Sequence, residues 1–598
     1  MDRNTFTGLF LIMIILAGGV FFMRPSEAEL KKEQQVQDSI KRAGLKQPAA
    51  TTTKPTVEAV KTVDTAALKG PFGANIAGTE QTTVLENENL KITFSNLGGK
   101  IQSVEVKNQK TYGNQPVVLF NGNQNKFGLN LNIAGKNTST NDLYFTATKT
   151  ANGVTMRANY SADKTVDFVY TIPANSYNVD FNINLNGLNQ VIQGNNVTLN
   201  WETTLLQQEK DAKKEQEHSG PYFKYLEENP DHLDLHKDEK KELTEGKIEW
   251  FSFKQHFFSA VLVPTVPFDK GNLEVKVSTE PGKIKWYGAN MQLPFNQLAA
   301  QNYNFKFYFG TNKFSVLKDQ GHEIEKLVDL GYWPLKYINR FVVLPVFNFL
   351  EGFNWGYGLI ILVLTILLKL AMSPLTYKSY VSMAKMRVLK PEMDEIKAKV
   401  GEDNPTLLQQ EYLKLYKQVG VNPIGGCLPM LLQLPFVMAF FFFFPNLFEL
   451  RGESFLWMKD LSTYDNFINF GFTVPFIGDH LSLMCILMTI STLIYTYFNN
   501  QTSGATGQMK YIGYITPIIF LGVLNSYPSG LNYYYFLANM LTFLQQFLIR
   551  KMVNDDKIHA ILQDNKAKPK PEKKKTGFQA RLEDYMRQQQ QQANQKKK

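Results

Sequence analysis

Apolar residues along the chain fall into blocks rather than being spread evenly. The segments 6–23, 355–375, 428–448, 481–498, 512–524 and 531–549 are predominantly apolar, and several approach the roughly 20 residues that cross a bilayer as a helix. Between the first two blocks the pattern changes to period two. Val179, Phe181, Ile183 and Leu185 point one way and the intervening Asn and Asp residues the other. The segments 90–94, 273–277 and 303–307 repeat this alternation between Asn-, Gly- and Pro-containing turns. Such spacing predicts a large external antiparallel β-sandwich over 78–320. The charged stretch 207–247 reads as a surface excursion from it.

The remaining segments follow from the same pattern. Residues 1–23 read as an uncleaved membrane anchor, because no small-x-small cleavage pattern follows the apolar run. Residues 24–77, rich in Lys, Gln, Thr, Ala and Pro, bury too little surface to fold and read as a flexible tether. Aromatic residues and a few cations over 321–353 suit a helix lying in the headgroup layer; a core helix of the sandwich is the other reading. Residues 354–550 form the membrane core. Within it, 377–422 reads as an antiparallel helical hairpin, because Met386, Leu389, Met393, Ile396 and Val400, then Leu408, Tyr412, Leu415 and Val419, recur at steps of three and four. The fold class expected is a polytopic α-helical membrane protein of six spans.

Charge sets the orientation. The chain has 64 Lys and Arg against 54 Asp and Glu, a net of +10. From Arg550 onward there are 14 basic and six acidic residues, a net of 14 − 6 = +8. By the positive-inside rule this tail, 551–598, is cytoplasmic, and six spans then place the sandwich outside. Arg24, Lys31, Lys32, Lys41 and Arg42 follow the first span on the outer side and run against this rule. Two cysteines, Cys427 and Cys485, exclude a disulfide framework and a Cys-rich zinc site.

The chain carries no P-loop, no His-Glu-x-x-His and no Gly-x-Ser-x-Gly motif, so no cofactor, metal site or enzymatic activity is expected. His232 and His236 stand four apart beside Asp231 and Asp234, but Pro230 and the charged surroundings favour a solvated loop. Lys369, inside an apolar block, is the informative residue, since a cation at mid-bilayer costs about 2.5 to 3.5 kcal/mol on insertion scales. Thr365, Lys369 and Ser373 share one helix face. Asn532, Asn539, Thr542 and Gln546 form a stripe on the last span, with Gln433 and Thr516 on two others. Polar stripes on several helices are best satisfied by facing one another around water. Snorkelling of Lys369 to the cytoplasmic interface is the plainer alternative.

The motifs Pro374-Leu-Thr376, Ser382-Met-Ala-Lys-Met386, Val421-Asn-Pro-Ile-Gly-Gly-Cys-Leu-Pro429, Gln433-Leu-Pro435 and Tyr527-Pro-Ser-Gly-Leu531 with Gln545-Gln546 resemble, in order and spacing, the YidC membrane protein insertases of bacteria. The resemblance covers roughly 330–550, and the anchor, tether and β domain resemble the Gram-negative form. It implies a five-helix insertase core in the inner membrane. Its clients are nascent membrane proteins, inserted alone or beside the Sec translocon through a groove open to cytoplasm and lipid. No small-molecule substrate is implied. The family's groove cation, usually arginine, maps onto Lys369. Lysine keeps the charge but loses the planar fork that holds a carboxylate bidentately. Met430, Leu434, Ile515 and Ile519 would guide the apolar part of a client into lipid. The hairpin and the tail, with Lys385, Arg387, Lys390, Lys573, Lys574 and Lys575, correspond to regions that engage ribosome and client; the tail also suits anionic lipid. The sandwich resembles a sugar-epimerase-like fold, which does not imply sugar chemistry. A solute transporter and a membrane-tethered carbohydrate enzyme are the competing readings.

Overall fold

The structure, a computed structural model, describes residues 71–401, 405–421, 428–503 and 508–567. The expected anchor, most of the tether and Lys573, Lys574 and Lys575 lie outside the described residues. The chain divides into two compact units, 1–328 and 329–598.

The first unit is built from strands whose alternation reads directly as burial. In β1 (Asn178–Asn186) every second residue is buried, so Val179, Phe181, Ile183 and Leu185 face inward as the pattern requires. β2 (Asn196–Leu206) pairs antiparallel with β3 (Lys283–Pro294), Trp201 opposite Ala289. β4 (Ala300–Thr311) pairs antiparallel with β1, Phe305 opposite Phe181. Among the described residues β1 and β4 lie in a nine-stranded sheet and β2 and β3 in a six-stranded one, beside a further four-stranded sheet. Rings from the two larger sheets meet in the core. Phe127 of the six-stranded sheet lies 5.4 Å from Phe181 and 5.5 Å from Phe307, and Trp201 stands edge-on to Phe307 at 5.5 Å. These edge-to-face pairs fix how the sheets pack, and the sandwich is as expected.

The stretch 207–247 departs from the expectation of a surface excursion. Gly220–Tyr225 is a strand of the nine-stranded sheet with every residue buried. Its charges have partners inside. Lys224 is paired with Glu249. The Glu215 carboxylate accepts from the backbone N–H groups of Gln208 and Glu209 and from the Gln255 amide. Composition cannot reveal such pairing, because a buried charge satisfied by hydrogen bonds looks like a surface charge in sequence. Among the described residues no His, Cys, Asp or Glu cluster could hold a metal ion.

The second unit is helical. A segment running through α1 (Leu344–Glu351) buries Leu335, Val343, Phe347 and Leu350 while exposing Tyr332, Trp333, Tyr337, Phe341 and Phe349. It is amphipathic; residues up to 328 belong to the first unit, and the first helical turn of the segment is Leu335–Ile338. α2 (Tyr357–Val388) is 32 residues long. α3 (Lys390–Val400) and α4 (Pro405–Val419) follow, then α5 (Leu428–Asn446), α6 (Leu483–Ser503), α7 (Gln508–Leu524), α8 (Ser529–Met552) and α9 (Asp555–Ala567). Among the described residues one helix, α2, is long and apolar enough to cross a membrane by itself, and the apolar parts of α5 and α7 are shorter. Six spans are therefore an expectation the structure does not establish.

The expected hairpin begins later than 377. Pro374 does not end α2, which runs on to Val388; the break comes at Leu389, where Pro391 opens α3. Nor is the hairpin free. Leu389, Leu415, Tyr416 and Val419 pack against Ile558 and Leu562 of α9, so the chain after 551 starts as a docked helix, not a tail. Arg387 reaches across to Asp555 (2.8 Å) and Lys566 to Glu392 (2.8 Å).

Candidate functional site

α2 and α8 lie side by side and bring their polar faces together. Lys369 is 8% exposed, and its Nζ donates to Thr542 Oγ1 on α8 at 2.7 Å and, more weakly, to Gln433 Oε1 on α5 at 3.5 Å. Thr542 is fixed as an acceptor because its own hydroxyl donates to the Ala538 carbonyl. Gln545 Nε2 donates to the Lys369 carbonyl and to Ser373 Oγ, both at 3.0 Å. Ser373 Oγ in turn donates to the Lys369 carbonyl at 2.9 Å. Three helices thus hold one cation with neutral oxygens. The network is not sealed, since Ser373, Gln433, Thr542 and Gln545 are all half-buried.

The other expected residues separate into distinct places. Asn539 donates to Ser491 Oγ (2.9 Å) and Thr492 Oγ1 (2.8 Å) on α6. Asn532 is fully buried, donating to the Leu524 carbonyl while its Oδ1 has no partner. Thr365, also fully buried, bonds back to the Ile361 carbonyl of its own helix, so it packs rather than joins the network. Thr516 on α7 is exposed and Gln546 half-buried. Leu434, Ile515 and Ile519 are each more than half exposed. The side chain of Met430 lies outside the described residues. Lys390 is exposed and Lys385 half-buried, whereas Arg387 is committed to Asp555. Sequence reasoning missed Gln545, Ser491 and Thr492. Gln545 lies eight residues before Val553 and three after Thr542, a helical step that puts it over the same face as Thr542.

A second polar knot ties the other end of α8. Asp465 accepts from the Ser482 hydroxyl, the Trp457 indole N–H (3.0 Å) and the Met484 N–H (3.2 Å). Asn525 donates to the carbonyls of Ile477 (2.8 Å) and His480 (2.7 Å) and accepts from the Ser482 N–H (2.9 Å). The N–H groups of Ser529 and Gly530 bond to the carbonyls of Thr463 and Leu461. These bonds lash the loop between α5 and α6 to the turn before α8. Thr542 lies 13 residues from Ser529, about 20 Å along the helix. One end of the bundle is therefore closed by buried hydrogen bonds, while the end near Lys369 is partly open.

Comparison with known proteins also divides the chain into two parts. Residues 82–345 match the model of the YidC periplasmic domain, and residues 349–557 match that of the 60Kd inner membrane protein family. The membrane protein insertase YidC of Bacteroides fragilis is 39% identical over 614 residues, covering 100% of this chain and 99% of the relative. That of Parabacteroides distasonis is 37% identical over 625 residues, covering 99% and 98%. A solved structure of an active YidC insertase, with its first transmembrane domain resolved, is 19% identical over 79% of this chain and 93% of that chain, with a TM-score of 0.33. The chain belongs to the YidC family: it is a membrane protein insertase of the inner membrane, with a β-rich periplasmic domain and a helical C-terminal region.

Proposed function

We propose that client segments pass the polar network around Lys369, which lowers the barrier for a short polar flank while the apolar part of the client moves into lipid along Leu434, Ile515 and Ile519. The observation that carries this reading is a buried cation with only neutral partners. Among the described residues Lys369 forms no ion pair, and its hydrogen bonds go to Thr542 and Gln433. A buried charge lacking a counter-charge is costly and attracts one. An acidic residue in the flank of an incoming client supplies it transiently. Ser373, Thr542, Gln433 and Gln545 offer hydrogen bonds to the remaining polar atoms, with Asn539 and Thr516 along the way.

The energetics need no nucleotide. A client span gains roughly 0.3 to 0.6 kcal/mol per Leu, Ile, Phe or Val on partitioning. The obstacle is the flank, for which an isolated charge in hydrocarbon costs up to about 10 to 17 kcal/mol in simulations. The apolar part of α7, some 13 residues and so about 20 Å, is short against a hydrocarbon thickness of about 30 Å, which favours a locally thinned bilayer.

The topology we propose has six spans: the anchor 1–23 and helices α2, α5, α6, α7 and α8. The β domain and the 449–480 loop lie outside, and the hairpin, α9 and the basic tail inside. Lys385, Lys390 and the tail lysines Lys573, Lys574 and Lys575 form the contact for the ribosome or the anionic lipid surface; the Sec translocon is a partner for larger clients. Neither the transporter nor the carbohydrate-enzyme reading gains a specific observation.

The test is insertion of a short single-span client into liposomes containing the purified protein, scored by protease protection. Lys369→Arg should retain activity, and Lys369→Ala and Lys369→Glu should lose most of it. Equal activity of all four proteins rejects a role for the charge. Ribosome cosedimentation without lipid, lost when residues 568–598 are removed, assigns the tail to the ribosome.

A further inference from the structure

The loop between α5 and α6 carries a two-stranded hairpin, β5 (Ile468–Val474) and β6 (Gly478–Leu481). Its 13 residues from Asn466 to Gly478 contain no Asp, Glu, Lys or Arg, but four Phe. Packing does not hide these rings. Phe467, Phe472 and Phe476 are 59%, 64% and 78% exposed, and Ile468 is 42% exposed. Phe476 is also held in the left-handed region at φ 70, an unfavourable backbone for a bulky side chain, so the turn presents that ring outward at some cost. A two-stranded hairpin open on both faces is marginal in water, and an apolar patch of this kind marks an interaction surface.

The hairpin is nevertheless tied to the turn before α8 and to α7. Asn525 bonds to the carbonyls of Ile477 and His480. The Phe476 carbonyl lies where a side chain on Gly522 would stand, 2.6 Å from an added Cβ. It therefore sits on the end of α7, whose outward residues Ile515, Ile518, Ile519 and Val523 are all more than half exposed. The open rings continue that apolar flank beyond the helix end.

We propose that β5–β6 is a lipid-anchoring element seated in the outer leaflet, which completes the apolar height that α7 alone does not reach. This rests on the reading of α7 as a span. A lipid occupant fits better than a protein one, because residues 466–478 offer no charge to a partner and continue the lipid-facing side of α7, while the exposed Asp479 stands at the foot of the hairpin beside His480. The outer edge of a two-stranded sheet has no neighbouring strand, and open sheet edges are not found exposed to hydrocarbon. The hairpin therefore sits at the boundary of headgroups and acyl chains, where water still reaches that edge and the rings enter the acyl region.

The experiment uses the full chain in vesicles of phosphatidylethanolamine and phosphatidylglycerol, with a nitroxide carried by a genetically encoded side chain at Phe472, at Ile519 or at the exposed Lys399. Power saturation with oxygen and with a water-soluble nickel chelate reads lipid against water. The oxygen-to-nickel accessibility ratio at Phe472 should approach that at Ile519 and exceed that at Lys399 several-fold; a label at Phe476 repeats the measurement should the first disturb the turn. If Ile519 is lipid-exposed while Phe472 and Phe476 behave like Lys399, or are shielded from both reagents, the hairpin proposal fails alone. If Ile519 is also water-exposed, the span assignment of α7 fails with it.

Discussion

Replacing Lys369 by Gln removes one positive charge while keeping an amide donor on the same face of α2. The surroundings are suited to this substitution, since Thr542 Oγ1 remains an acceptor and Gln433 is a neutral amide 3.5 Å from the ammonium. The effect should therefore be electrostatic rather than steric. Two unit charges about 4 Å apart attract by about 4 kcal/mol at an effective dielectric of about 20 and by about 1 kcal/mol in bulk water. The network is partly open, so its value lies between these limits. At about 1.4 kcal/mol per factor of ten, a client with one Asp in its translocated flank should insert about fivefold to several hundred-fold more slowly. The same client with Asn in place of Asp should be little affected. The assay is the initial rate of protease protection in proteoliposomes, run on both clients with both proteins. Equal slowing of the two clients would show that Lys369 only holds the helices together, and no slowing of either would refute the charge argument.

Three further outcomes follow from the packing. Leu562→Ala removes a side chain 1% exposed between α9 and the hairpin; at about 2 to 5 kcal/mol for a buried leucine, amide exchange in α9 should accelerate while exchange in α8 stays unchanged. Gly522→Ala places a Cβ against the Phe476 carbonyl, and an overpacking cost of about 1 to 3 kcal/mol should appear as lost amide protection over 468–481. In the β domain, burial first, and then the nearby Lys254, pushes the fully buried Lys285 amine down to about 8 from 10.5. Between these values the unfolded chain binds more protons than the folded one, so stability should rise from pH 8 toward 10.5, by up to about 3 kcal/mol at about 1.4 kcal/mol per unit. Lys285→Met should flatten that rise in thermal unfolding; an unchanged slope would mean that the amine is not the group responsible.

The features legible in sequence were those set by local periodicity. The alternation around Phe181 places every apolar residue of β1 in the core, and the i, i+4 spacing of Lys369 and Ser373 does bring both to one network. What escaped were features that depend on long-range partners. The buried strand Gly220–Tyr225 was hidden because Lys224 and Glu215 find partners on other strands and loops. The docking of α9 was hidden because Ile558 and Leu562 are sparse apolar residues in a charged stretch, meaningful only beside Leu415 and Val419. The continuity of α2 is not legible because the apolar run ends at 375, whereas the helix continues through polar residues to Val388. Gln545 and Gln546 are indistinguishable as a dipeptide; only the register of α8 against α2 puts Gln545 on the Lys369 carbonyl.

The continuity of α2 has a mechanical meaning. The helix is clamped by Gln545 across Lys369 and Ser373, and the next residue, Pro374, lacks the N–H that would bond one turn back. A clamp followed by a joint isolates one end of a rod from motion at the other. From Pro374 to Val388 is 14 residues, about 21 Å, so a bend of about 10° at the joint carries the hairpin end through nearly 4 Å while the lysine inside the clamp stays in place. The arm beyond Pro374 can thus swing without moving Lys369.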